Sequence, residues 1–179
     1  MHIYFAGDHA GFELKKELMD FVEGIGHEVE DMGPLALNPG DDFPDFVVPL
    51  ARKVAESTPP QSSPLKRGGG REVEKGAPFG EKGAPFSEVR GIVVAGSGQG
   101  EIIAMNRIRG ARAALFCPCN LELIKASRAH NDSNIFALGA RFCTVEEAKK
   151  GITVWLETPF SGEERHVRRL QKIEELIGH

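Results

Sequence analysis

The chain has 179 residues, a formal net charge of −4 and three cysteines. That length suits one α/β domain with a full core, and the mild acidity argues against a general nucleic-acid binder. No apolar run is long enough to cross a membrane, and an odd, small cysteine count fits a reducing cytoplasm better than a disulfide framework.

The first segment, Met1-His2-Ile3-Tyr4-Phe5-Ala6, has no basic start or cleavage site and reads as a strand over 3–6 rather than a leader. It ends in Gly7-Asp8-His9-Ala10-Gly11. Apolar residues at helical spacing from Phe12 to Ile25 predict a helix, with Gly26 as its stop. Glu28–Asp31 is a short second strand, and 32–42, with two glycines and two prolines, is a loop. A helix is expected over Phe46–Glu56.

From Ser57 to Ser87 the chain is rich in Pro, Gly, Ser and charge, and holds the near-repeat Glu74-Lys75-Gly76-Ala77-Pro78-Phe79 and Glu81-Lys82-Gly83-Ala84-Pro85-Phe86. Two copies cannot build a solenoid. So few apolar residues cannot offset the entropy of ordering, so 57–87 is expected to be a disordered insertion within a single domain spanning 1–179.

Order resumes with a strand at Ile92–Ala95, a glycine turn and a helix over Glu101–Ile108. A strand at Ala111–Phe116, a helix at Leu121–Ala129 and a fifth strand at Ile135–Leu138 follow. Thr144 caps a helix over Val145–Leu156, and Arg165–Ile177 forms a last, basic helix. Alternating strands and helices predict a parallel sheet with helices on both faces.

The richest stretch chemically is Ala95-Gly96-Ser97-Gly98-Gln99-Gly100-Glu101. Three glycines and a serine stand where a strand hands over to a helix, so backbone N–H groups turn toward a bound anion or a developing oxyanion. Glu101 adds a carboxylate. Donors plus one base suit proton abstraction beside a carbonyl. The spacing is not the dinucleotide G-x-G-x-x-G, no Gly-Lys-Ser/Thr follows, and Ser97 lacks the G-x-S-x-G flanks of a hydrolase nucleophile.

Asp8-His9 ends the first strand, where Asp8 could serve only as a helix cap or could join a site. His130-Asn131-Asp132 follows a helix. It is grouped here with the loops beyond the strand ends, where ligands of parallel sheets bind, and a polar helix terminus is its plainer reading. Arg165, Arg168 and Arg169 share a helical face. They are either a solvated face paired with Glu163 and Glu164 or a fork for a phosphate. Cys117-Pro118-Cys119 with the distant Cys143 lacks structural-zinc spacing, so no metal is expected.

Taken together the motifs resemble the ribose-5-phosphate isomerase B family, which includes the galactose-6-phosphate isomerase subunits. The matching pieces are Ala6 to Phe12, Asp42-Phe43-Pro44, Gly96 to Glu101, Asn106, Gly110 to Ala113, His130-Asn131-Asp132, Leu138 to Arg141 and Arg165-His166. The resemblance implies a Rossmann-like α/β/α sandwich with a five-stranded parallel sheet. It also implies a homodimer (or tetramer) whose active sites are shared between subunits, and no cofactor. The implied activity interconverts ribose 5-phosphate and ribulose 5-phosphate in the pentose phosphate pathway. The alternatives are an isomerase of allose or galactose 6-phosphate, or a silent sugar-phosphate binder.

In one branch of the family a Cys before the first glycine is the base. Here that residue is Ala95, so the chain resembles the branch that uses the Glu after the last glycine, Glu101. The resemblance further implies that Ser97 and the N–H groups of Gly98, Gln99 and Gly100 hold the enediolate beside Gly96. His130 and Asp8 would open the sugar ring with Asn131 alongside. His9, Arg141, Arg165 and Arg169 would bind the phosphate, some from the partner chain. Phe43 stands where many members have Tyr, so that hydroxyl is missing.

Overall fold

The computed structural model describes residues 1–58, 89–118 and 120–177. The expected insertion lies outside the described residues except Ser57 and Thr58, and so does Cys119.

Among the described residues, five strands form one parallel sheet: β1 (His2–Gly7), β2 (Glu28–Asp31), β3 (Val89–Ala95), β4 (Ala113–Leu115) and β5 (Ile135–Gly139), in the order β2-β1-β3-β5-β4. Six helices connect and flank them: α1 (Phe12–Gly24), α2 (Pro44–Ser57), α3 (Gln99–Met105), α4 (Leu121–Ala129), α5 (Val145–Glu157) and α6 (Glu164–Ile177).

Alternation along the strands splits the core into two layers. Ile3, Phe5, Ile92, Val94, Phe136 and Leu138 face Leu18 and Val22 of α1, Ile124 of α4, and Ile152 and Trp155 of α5. Tyr4, Ala6, Val93, Ile135 and Ala137 face Val47, Leu50 and Val54 of α2 and Met105 of α3. The result is the three-layer sandwich expected. Both sheet faces are covered, which is why these strands read as nearly unbroken apolar runs.

Most element boundaries match the sequence expectation, and the exceptions have local causes. α2 begins at Pro44, before the apolar pattern starts, because proline at a first helical position needs no N–H partner. α3 stops at Met105 because Asn106 leaves the helix to pair with Ala113, accepting from its N–H at 2.8 Å and donating to its carbonyl at 3.0 Å. β4 is only three residues long because Arg112 is diverted: its N–H donates to Asn134 Oδ1 at 2.7 Å. α5 carries a full capping box from Thr144 and Glu147.

The exit of β1 packs unusually close to the end of β3. A Cβ placed on Gly7 would lie 2.1 Å from the Val94 carbonyl oxygen, and one on Gly11 would lie 2.0 Å from that same atom. Only glycine permits this approach, and it lays the Asp8 turn against β3. A Gly7→Ala variant is expected to lose about 1–3 kcal/mol through overpacking against rigid backbone. Urea denaturation checks this, and an unchanged midpoint would show that the approach is not enforced.

Candidate active site

Since every strand points the same way, the loops after β1, β3 and β5 gather at the carboxyl edge of the sheet. After β3 the chain turns through Gly98, whose φ of +77° lies in the left-handed region. The segment after β5 fastens this turn: Ala140 N–H donates to the Ala95 carbonyl at 2.7 Å and Arg141 N–H to Gly96 at 3.2 Å. The point where a Gly96 Cβ would sit is 3.4 Å from the Ala10 methyl and 3.5 Å from Arg141 Cζ. A guanidinium and the Asp8–Gly11 turn therefore converge over Gly96.

Asp8 binds this arrangement together. Its Oδ1 accepts from Gly11 N–H at 3.0 Å as a cap, and its Oδ2 faces Gly96 N–H at 3.5 Å. The capping reading of Asp8 holds, and the same side chain also reaches the glycine turn. Ser97 Oγ accepts from Gln99 N–H at 3.4 Å, Ile102 N–H donates to the Gly98 carbonyl at 3.1 Å, and helix geometry gives the Gly100 N–H no intrahelical acceptor. Phe43, just before α2, packs its ring on Gly100, 2.9 Å from where a Cβ would stand.

Glu101, in the first turn of α3, is only 4% exposed. Burial pushes its carboxyl above the ordinary range; its own backbone N–H pulls it partly back, and the charge of Asp8 adds to the rise. His9 lies half-buried with Nδ1 2.7 Å from Asp41 Oδ1. An open, mainly apolar cleft of about 200 Å³ adjoins Ser97 and Gln99, walled by Leu115, Phe116 and Phe142. This edge therefore offers a buried carboxylate of raised basicity, backbone donors, a guanidinium and an imidazole.

The rest of the expected site lies elsewhere. Grouping His130 and Asn131 with the loops beyond the strand ends is overturned. α4 runs back from the carboxyl edge, so His130, its C-cap, stands at the amino edge just before β5. There the turn is held firmly. Asp132, at φ +46°, accepts from Arg112 at 2.8 Å and Arg128 at 2.9 Å, and Ser133 Oγ accepts from Trp155 Nε1 at 2.8 Å.

α6 starts beside this turn. Ser161 N–H donates to the Ala129 carbonyl at 3.0 Å, Ser161 Oγ bonds His166 Nδ1 at 2.9 Å, and the His166 and His130 rings lie 4.4 Å apart. Burial lowers the His166 pKa, and Arg165 and His130 lower it further. Arg165 is exposed and pairs with Glu163 at 2.8 Å, the partner its plainer reading allowed, and Arg169 is exposed beside it.

A single chain therefore brings together Asp8, His9, Gly96 to Glu101 and Arg141, and separately His130, Asn131, Arg165 and Arg169. Sequence reasoning passed over His166, quoted only as part of a motif, and Asp41. The Asp41-Asp42 doublet before Phe43-Pro44 was the available signal, but nothing in its spacing ties it to His9. Among the described residues no cluster of His, Cys, Asp or Glu is arranged to hold a metal, and Cys117 and Cys143 are free thiols.

The chain belongs to the ribose/galactose isomerase family, which it matches over residues 3–61 and 78–173. It is 34% identical over 176 residues to ribose-5-phosphate isomerase B of Mycolicibacterium paratuberculosis, covering 98% of this chain and 91% of that protein. Among solved structures, the ribose-5-phosphate isomerase B of Mycoplasma genitalium with bound ribulose-5-phosphate superposes with a TM-score of 0.77 at 28% identity, covering 99% of this chain and 97% of that one. The Clostridium thermocellum ribose-5-phosphate isomerase B gives 0.76 at 34% identity, covering 98% and 97%.

The raised Glu101 has a consequence for stability. Between the usual carboxylate value of about 4.3 and the raised value in the fold, the folded state holds a proton the unfolded chain has released. Ionising Glu101 thus weakens the fold as pH rises. Glu101→Gln should be more stable than the parent in urea at pH 7, with the advantage vanishing below the ordinary carboxylate range. An equal or lower midpoint at pH 7 would contradict this.

Proposed function

We propose that the chain is an aldose–ketose isomerase that interconverts ribose 5-phosphate and ribulose 5-phosphate, with Glu101 as the base. The observation that carries this reading is the buried carboxylate of Glu101 closing a glycine turn over which Arg141 and the Asp8–Gly11 turn converge. In the open-chain aldose the proton on C2 is acidic because C1 is a carbonyl. Glu101 takes that proton, and the electron pair moves onto the carbonyl oxygen. Ser97 and the N–H groups around Gly98, Gln99 and Gly100 receive the negative charge of the cis-enediolate. Glu101 returns the proton to C1, a hydroxyl proton passes between O1 and O2, and the ketose results.

His9 and Arg141 hold the phosphate, with Gly96 alongside. Arg165 and Arg169 complete that grip from a second copy, whose His130 opens the ring with Asp8 while Asn131 binds beside it. Support for a homodimer is the separation of these groups: a strand-length divides the two edges in one chain, and a twofold pairing of copies brings opposite edges together. With Phe43 in place of a Tyr hydroxyl, ring opening falls to His130 and Asp8. A cytoplasmic location fits the free thiols of Cys117 and Cys143 and a phosphorylated substrate.

Glu101→Gln should lower kcat on ribose 5-phosphate by about 10²- to 10⁴-fold. The acid limb of the parent's kcat/KM should fall above the ordinary glutamate range, because burial raises the Glu101 pKa. A variant that keeps kcat near the parent's would remove Glu101 as base.

Shared sites make a sharper forecast. Glu101→Gln and His130→Asn, each nearly inactive, should regain about one quarter of parental activity when refolded together, since half the dimers are hybrids with one intact site. No recovery would mean both groups act within one chain.

A further inference from the structure

His9 does not stand alone at the carboxyl edge. Asp41 Oδ1 takes both its backbone N–H, at 3.3 Å, and its ring Nδ1, at 2.7 Å. The Asp41 side chain is 4% exposed against 34% for His9. Its second oxygen, Oδ2, is buried with no hydrogen-bond partner. Burying a carboxylate oxygen unpaired costs stability, so this carboxylate is poorly explained as a structural device.

The loop that delivers Asp41 is fixed at both ends. At its start the fully buried Lys15 donates to Asp31 and, at 2.9 Å, to the Pro34 carbonyl. At its end Asp41 N–H donates to Asn38 at 3.1 Å, and Asp45 N–H donates to Asp42 at 3.1 Å as α2 begins. This frame sets the backbone from which the Asp41 side chain reaches His9.

An ionised carboxylate only accepts, so the nitrogen facing Asp41 must carry hydrogen. That fixes the ring: Nδ1–H points inward and Nε2 is left for a ligand. The neighbouring Arg141 and the turn over Gly96 supply the rest of an anion cradle.

We propose that Asp41 is a positioning residue of the phosphate subsite: it holds His9 with Nδ1–H turned inward, so that the ring presents Nε2 to the substrate phosphate. This rests on the reading of His9 as a phosphate ligand in a ribose-5-phosphate isomerase. Asp41 touches no reacting atom, so its removal weakens substrate binding and leaves the proton transfer at Glu101 intact.

The test is steady-state kinetics on ribose 5-phosphate with Asp41→Asn, Asp41→Ala, His9→Gln and the His9→Gln/Asp41→Ala double variant, each with a urea unfolding curve. Both Asp41 variants should raise KM about ten-fold or more, the scale of one charge-assisted hydrogen bond, with kcat within about three-fold of the parent. The double variant should be no worse than His9→Gln alone. The Asp41→Asn unfolding midpoint should not fall, because the substitution removes a buried unpaired carboxylate oxygen. A fall in kcat at unchanged KM, effects that multiply in the double variant, or a KM rise matched by lost stability in Asp41→Asn would overturn the inference alone. A parent enzyme that binds and turns over no ribose 5-phosphate would overturn the functional reading, and this inference with it.

Discussion

The direction of the sheet governs everything else in this molecule. With all strands parallel, each strand releases its chain at one edge and each returning helix delivers it to the other. Glu101, the backbone donors, His9 and Arg141 follow strands and collect at the carboxyl edge. His130 follows α4 and precedes β5, so it must lie at the amino edge, and the start of α6 lies against it. No side-chain motion closes that gap within one chain. Joining the groups requires a second copy turned end for end, and the proposed chemistry depends on it.

At the carboxyl edge, the proposed site rests on close backbone contact. Gly7 and Gly11 let the β1 turn settle on the Val94 carbonyl, and Asp8 spans from that turn to Gly96. Arg141 reaches the same glycine. The site is thus assembled from the ends of three strands that the sheet already holds in register, so little freedom remains to be lost when a substrate binds. Burying Glu101 beside Asp8 works against the fold and in favour of the base: the same desolvation that makes ionisation costly makes the carboxylate a stronger proton acceptor.

Much of this was legible in the sequence. The sequence pattern located the five strands and six α-helices of the described residues, though not the short 3-10 turn at His9–Gly11, and Gly-Ser-Gly-Gln-Gly-Glu revealed a donor turn with a carboxylate because backbone geometry and chemistry are both written locally there. Element ends were less legible where a side chain contact made elsewhere decided them, as with Asn106 on Ala113 and Arg112 on Asn134. The edge on which His130 lies follows from topology rather than from its neighbours, and grouping it with strand-end loops was the error that resulted. Asp41 and His166 were invisible for a related reason. Each contacts a partner 32 or 36 residues distant, His9 and His130 respectively, and no spacing rule connects such pairs.

The central claim is a proton transfer through an enediolate at Glu101. Following ribose 5-phosphate in D₂O by proton NMR tests it most directly. The account predicts that deuterium enters C2 of the aldose and C1 of the ketose as turnover proceeds. Turnover with the carbon-bound hydrogen fully retained would indicate a direct hydride shift and contradict it.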